Sequence, residues 1–398
     1  MNLKSKIFNK IGAYNSDKNT CYVNLEKAKN KDGNIDLSYL ERYASSTTFV
    51  IEGEHIFEKD DKLSLLYINI PGNIIFRNCN FDRVHPQIES IGSVSFIDCK
   101  FVMSQVDVRS VKNEITNCVS SNTNFDIDSD IAYFNNCNFN GEKADINIDN
   151  YNHDYYYPYH GKTIIKDCNF DIDEFKVDSS YMTHIEDNTN ITANKLKITS
   201  FNGCINNSDI VAMRFYTENN EQLLINNGII CAEHSTIYGD EVDIRNSNIN
   251  IDNFEINNNS TILYNSNLVG KYIVINSSDN FKIDKDSEVR CHHTFFEIPE
   301  VPNCKLYPNS IKADRVSLNG ALVNKDSNEF ADITLIEPRN NLINLLKNLR
   351  NKYNEKMDFV SREINHEING ITVKEIETLK SDEEKILKRV KMNLNKNK

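Results

Sequence analysis

The chain has 398 residues, 58 Asp and Glu against 45 Lys and Arg, and a formal charge of −13 at pH 7. An acidic surface argues against nucleic acid as a partner, because phosphates need cations. No stretch approaches the roughly 20 apolar residues of a membrane span, and no secretory signal with a long apolar core is visible.

Residues 1–47 read as a leader and cap. Leu3, Ile7, Phe8 and Ile11 alternate with Lys4, Lys6 and Lys10, which predicts either a short basic amphipathic helix or a flexible leader. Residues 21–47 are expected to cap a repeat array, with a short helix over Leu37, Tyr39, Leu40 and Tyr43. Phe49-Val50-Ile51 and Leu65-Leu66-Tyr67-Ile68 follow as opening strands.

From about Phe76 to Ile275 one phrase recurs: apolar, two positions, a small residue, one position, apolar. The small slot holds Cys79, Cys99, Cys118, Cys137, Cys168, Cys204, Gly228, Ser247 and Ser266. Three positions earlier every copy is apolar, from Phe76 and Phe96 through Phe201 to Leu263. Two positions later all are apolar except Ser120 and Asn206. The residue just before the slot is always Asn, Asp or Gly, the types that best tolerate a left-handed backbone. A sharp bend is expected there. Nine positions past the slot stand Ile88, Val108, Ile127, Ile146, Val177, Met213, Ile237, Ile256 and Ile275, all predicted to point inward. Slot spacings are 20, 19, 19, 31, 36, 24, 19 and 19. A period near 20 with alternation close to two is the pattern of a coiled β-sheet.

Two spacings are long. The first excess is Tyr151-Asn152-His153-Asp154-Tyr155-Tyr156-Tyr157-Pro158-Tyr159-His160. Insertions into a solenoid emerge as surface loops, and Tyr suits contact surfaces. This loop either binds or folds down over exposed apolar surface. The second excess, before Cys204, is read as an irregular coil around Asn188-Thr189-Asn190-Ile191.

Eight positions past the slot, three successive coils carry Asp107, Asp126 and Asp145, with Asp128 and Asp149 close by and Arg109 as a partial counter-charge. Their neighbours in sequence point inward, so the carboxylates should face out. Such a column is either a solvated acidic face, a calcium site or a docking stripe for a basic partner. Cys291-His292-His293 and Cys304 are ligand types suited to zinc, but their spacing fits no standard pattern, and neither a metal nor a cofactor is expected.

After Ile275 the register blurs. Residues 290–330 should hold the last coils and a cap, interrupted by Pro299, Pro302 and Pro308. The segment 338–398 changes period. Leu342, Leu346, Leu349, Tyr353, Val360, Ile364, Ile368 and Ile371 fit one helix, and Thr372-Val373-Lys374-Glu375 opens a second. A helical hairpin or coiled coil is expected, packing back on the solenoid or forming an interface. It carries 14 Lys and Arg against 9 Asp and Glu, which leaves 31 against 49 in the rest.

The inward columns and the Asn at a bend resemble the right-handed parallel β-helix superfold of pectate lyases, polygalacturonases and phage tailspikes. The fold class implied is all-β, with the solenoid over 48–337 and a C-terminal α-helical tail. Adjacent coils should stack about 4.8 Å apart, and roughly 12 would span on the order of 55 Å. The resemblance also invites a carbohydrate-active reading. A polygalacturonase-like site implies an adjacent Asp pair, a His and Arg-x-Lys. The sole Asp pair is Asp60-Asp61, and Arg-x-Lys occurs only at Arg350 and Arg389. Lyase-like calcium carboxylates with a basic residue are imitated by Asp126, Asp128 and Asp145 with Arg109. No nucleophile elbow, phosphate loop or HExxH occurs.

The reading is therefore a non-catalytic interaction or scaffold protein, of bacterial-effector or phage-related kind. Its candidate binding residues are Asp107, Asp126, Asp128, Asp145, Tyr151, His153, Tyr155, Tyr156, Tyr157, Tyr159 and His160. A protein partner, or a homo-oligomer through 338–398, is expected, with carbohydrate as the alternative ligand and a polysaccharide hydrolase or lyase as the alternative function. Stacked inward thiols point to a reducing compartment, the cytoplasm of the producing cell or of a host after delivery.

Overall fold

A computed structural model describes residues 3–28, 35–37, 40, 46–57, 64–148, 161–297, 311–318 and 321–323. The expected loop 151–160, the pair Asp60-Asp61, Asp149, Cys304, the three prolines of 290–330 and the tail 338–398 lie outside them. The described chain is a parallel β-solenoid of about 11 turns. Each turn has three faces. A three-residue first face follows the slot, as in Lys100–Val102. A second face follows it, as in Gln105–Thr116, whose strand runs on through the third corner into the third face.

The bend before the slot is where the sequence put it in eight of nine copies; Gly203 lies within a strand and makes no left-handed bend. Asn78, Asp98, Asn117, Asn136, Asp167, Asn227, Asn246 and Asn265 all have φ between 47° and 54°. Their side chains link successive coils: Asn117 Nδ2 donates to Asp98 Oδ1 at 3.0 Å, and Asn136 Nδ2 to Asn117 Oδ1 at 2.9 Å. A short amide is therefore favoured twice, by the backbone angle and by the neighbour one coil away.

Within the wall, Phe76 and Phe96 stack at 5.0 Å, and Phe81 and Phe101 at 4.9 Å. Ser120 interrupts the second of these columns. Phe125 from the next face fills the gap, 5.4 Å from Phe101 and 4.6 Å from Phe139. Eight of the nine residues predicted nine past the slot are buried, from Ile88 to Ile275.

The ninth, Met213, is 49% exposed, and it exposes an error of register. Cys204 does not occupy a slot. It is half-buried within the strand Asn190–Asn206, between inward Gly203 and Ile205. Phe201, expected inside, is 39% exposed. The slots are Thr189 and Ser208, preceded by left-handed Asn188 (φ 60°) and Asn207 (φ 51°). The spacing from Cys168 to Gly228 then becomes 21, 19 and 20, one more coil than the sequence reading counted. Phe201-x-x-Cys204 imitates the phrase, while Ile205-x-x-Ser208-x-Ile210 is the real copy, with Ile205 and Ile210 buried. This also removes the Asn206 exception.

The slot has a role beyond filling space. The amide of Cys99 donates to Cys118 Sγ at 3.4 Å, and that of Cys137 to Cys168 Sγ at 3.4 Å. Farther along, Gly228 N donates to Ser247 Oγ at 3.1 Å and Ser247 N to Ser266 Oγ at 3.2 Å. In these pairs, as between Cys168 N and Thr189 Oγ1 at 3.3 Å, the slot side chain supplies an acceptor to the coil before it. Cys, Ser and Thr can all do so, and for this reason they interchange in the column.

The helix Leu3–Ile11 covers the N-terminal end. Phe8 is fully buried, its ring 5.4 Å from that of Phe49. The strands Gly12–Asn15 and Thr20–Val23 then pair antiparallel, and Thr20–Val23 starts the parallel stack on Thr48–Glu52. Leu37 and Leu40 of the expected short helix are buried, but too few of its residues are described to assign one. A short helix is present at Leu25–Ala28. At the other end, Ile311–Leu318 pairs parallel with Glu288–Glu297, and Ala321–Val323 turns back antiparallel.

Candidate functional site

The second face carries the acidic column. Its register places Asp107 beside Asp126, and Asp126 beside Asp145, on successive coils. In-register neighbours lie about 4.8 Å apart, so the three carboxylates form a line along the solenoid axis. The residues between them, Val108, Ile127 and Ile146, are buried. Strict alternation holds the carboxylates outward, as their sequence position implies.

Both ends of the line have partners. His85 Nε2 sits 2.6 Å from Asp107 Oδ2, and Gln105 Nε2 donates to Asp107 Oδ1 at 3.2 Å. Asp145 lies 3.6 Å from Lys143 Nζ and 3.5 Å from Lys176 Nζ. The middle is different. No hydrogen bond joins Asp126 to a described residue, and its carboxyl is held above the usual range, first by partial burial and then by Asp107 and Asp145. Lys143 and Arg109 oppose this less strongly. Arg109 is shared, with Glu89 Oε1 at 3.8 Å.

Two neighbouring columns line a pit of about 140 Å³, Gln87, Asp107 and Asp126 on one side and Glu89, Arg109 and Asp128 on the other. Four carboxylates and one guanidinium around so small a space suit the cationic end of a Lys or Arg side chain. Among the described residues no group of three or more His, Cys, Asp and Glu is arranged to hold a metal. His293 of the Cys291-His292-His293 run instead stacks on Tyr272, ring centroids 5.4 Å apart and 7° from parallel.

No family model, curated protein or solved structure matches this chain. The stacked coils themselves are those of a parallel β-helix superfold.

The structure brings Asp107, Asp126, Asp128 and Asp145 onto one face. Tyr151, His153, Tyr155, Tyr156, Tyr157, Tyr159 and His160 lie outside the described residues. The sequence reading missed His85, Gln105 and Lys176. One signal was available: the offset that selects the three Asp also selects Gln87 in the coil before and Lys176 in the coil after. That offset shows an acidic run closed by a cation. His85 had no comparable signal, because its reach depends on the tight corner at Arg83, which has φ 54°.

Among the described residues no helix is long and apolar enough to cross a membrane.

Proposed function

We propose that this protein is a non-catalytic interaction or scaffold protein, and that its rigid acidic solenoid face and the segment 338–398 bind a protein partner. The observation that carries the reading is Asp126. Partial burial and two like carboxylates, with no hydrogen bond of its own to a described residue, disfavour its ionised form when nothing is bound. A Lys or Arg from a partner would relieve that cost. A carboxyl whose ionised form is disfavoured in the free protein is a candidate for a binding surface. Cys79, Cys99, Cys118, Cys137 and Cys168 form no disulfide, which supports a reducing compartment, the cytoplasm of the producing cell or of a host.

The test is partner capture and mass in solution for the full chain, for Asp107→Asn/Asp126→Asn, and for a chain lacking 338–398. Loss of a captured protein in the acidic-face variant supports the face. No change in capture or mass on deletion removes the tail from the proposal.

A second reading is a polysaccharide hydrolase or lyase of the β-helix type. It is favoured by the raised Asp126 beside Asp107, a more readily protonated carboxyl next to a hydrogen-bonded one. Turnover of an acidic polysaccharide that is lost in Asp126→Ala would select it.

A further inference from the structure

The corner between the first and second faces changes character along the solenoid. In the early coils it is a tight left-handed bend, at Arg83, Met103 and Asn122. From Asn138–Ile148 onward the strand runs through the corner without one, and three Ala stand there between Ile172 and Ile251. Ala193, Ala212 and Ala232 stack in register over three coils. The surface is hollow at this point: a groove of about 460 Å³ spans five coils, from Asp171 to Asp252.

The groove has a distinct chemistry. Its floor includes the three Ala, and beside it Val211 and Met213 are each 49% exposed. Apolar area left in water costs about 25 cal/mol per Å², so a cover is favourable. Met adapts its shape to what covers it. The rim carries Asp171, Asp173, Glu233 and Asp252, and no Lys or Arg is among the described lining residues. Lys195 and Lys271 on the flanks are taken up by Glu174 and Asp252. Arg214 stands one position past Met213, outside the lining. Aromatic rings, the usual sugar-stacking platform, are also missing from the described lining.

We propose that this groove binds an extended segment of a partner protein that carries aliphatic side chains together with Lys or Arg. The proposal rests on the reading of the chain as an interaction protein and names the chemistry of its partner. Five coils are four steps of about 4.8 Å, or roughly 19 Å, a length that about six residues of extended chain span. The aliphatic groups cover Val211 and Met213, and the cations meet Asp171, Asp173 and Glu233.

The experiment pans a random dodecapeptide display library on the full chain, after depletion on Val211→Lys/Met213→Lys. The expected result is enrichment of sequences combining Leu, Ile, Val or Met with Lys or Arg. A synthetic copy of an enriched peptide should bind at least 10-fold more weakly to the double variant and to Glu233→Lys. It should also shield half-buried Cys231, which lines the groove, from iodoacetamide as read by mass spectrometry. Glu233→Gln keeps the rim shape and should weaken binding less than Glu233→Lys, which guards against a folding defect in the double variant. Four results would overturn the proposal: no enrichment over the depleted pool, enrichment of acidic peptides, peptide binding that leaves Cys231 unprotected, or glycan-array binding that Val211→Lys/Met213→Lys abolishes. Capture of a partner protein that is lost in Asp107→Asn/Asp126→Asn but kept in Val211→Lys/Met213→Lys would sink the groove and leave the broader reading standing.

Discussion

The backbone amide of Cys99 donates to the sulfur of Cys118 one coil away, at 3.4 Å. The same bond recurs with oxygen between Ser247 and Ser266, at 3.2 Å. The column is thus selected for an acceptor of small size, and its thiols are one solution among three.

Cys118→Ser should therefore be better tolerated than Cys118→Ala. The Ala variant leaves the buried Cys99 amide without its acceptor, which costs about 1–3 kcal/mol. Urea unfolding midpoints of the two variants check this. A midpoint for Ala equal to or above that for Ser would reduce the slot to a volume filler.

Native thiol chemistry gives a second expectation. Cys99 is pushed up to about 12, first by its hydrogen bond with Cys118, and burial pushes Cys204 up to about 11. At pH 8 both are almost wholly thiol and react slowly with iodoacetamide. Site-resolved mass spectrometry should find Cys79, Cys99, Cys118, Cys137 and Cys168 labelled only after denaturation. Labelling of these five in the native chain would contradict their burial.

Phe125 bridges the gap left by Ser120, and it is 3% exposed. Phe125→Ala should cost about 3–5 kcal/mol, because the cavity opens between two rings that cannot close on each other across a fixed rise. A loss below about 1 kcal/mol in urea unfolding would show that the column collapses or was never continuous.

The acidic column yields a pH dependence of definite sign. The carboxyl of Asp126 is raised in the folded chain, so it protonates more readily folded than unfolded. Its effect favours folding at pH below the ordinary carboxylate value near 3.8 and is lost as pH rises through the folded value. Asp126→Asn should accordingly raise the urea midpoint at pH 7, and the gain should shrink as pH falls toward 3 and as salt screens the column. A destabilising Asp126→Asn at pH 7 would mean that the charge is satisfied in the free protein.

Much of the fold was legible because its strongest rules are local. A left-handed bend admits few residue types, so Asn78, Asp98 and Asn117 announce it. The in-register rise then repeats every column, and Asp107, Asp126 and Asp145 could be placed outward before any coordinate. The misreading at Cys204 arose where the phrase was copied by chance. Phe201 and Cys204 lie on the outer surface of a strand with the same period as its inner one. Only the bend at Asn207, followed by Ser208, separates the two registers. The side chains that partner the acidic column were harder to see. His85 and Lys143 reach it from other columns or around a corner, and such reach depends on side-chain path rather than spacing. The groove at Ala193, Ala212 and Ala232 escaped notice for a related reason. A stack of small residues reads as core filling until its corner is known to be open.

The stacking register is the claim on which every column and surface depends. Lys100 and Asn267, both exposed, occupy one column and are separated by eight in-register steps through 119, 138, 169, 190, 209, 229 and 248. Spin labels on Lys100→Cys/Asn267→Cys, in a Cys204→Ser/Cys231→Ser background, report their separation by pulsed electron resonance. Eight steps predict a single narrow distribution centred at about 38 Å. A centre near 34 Å, the value for one coil fewer, or a broad distribution without a maximum, would contradict it.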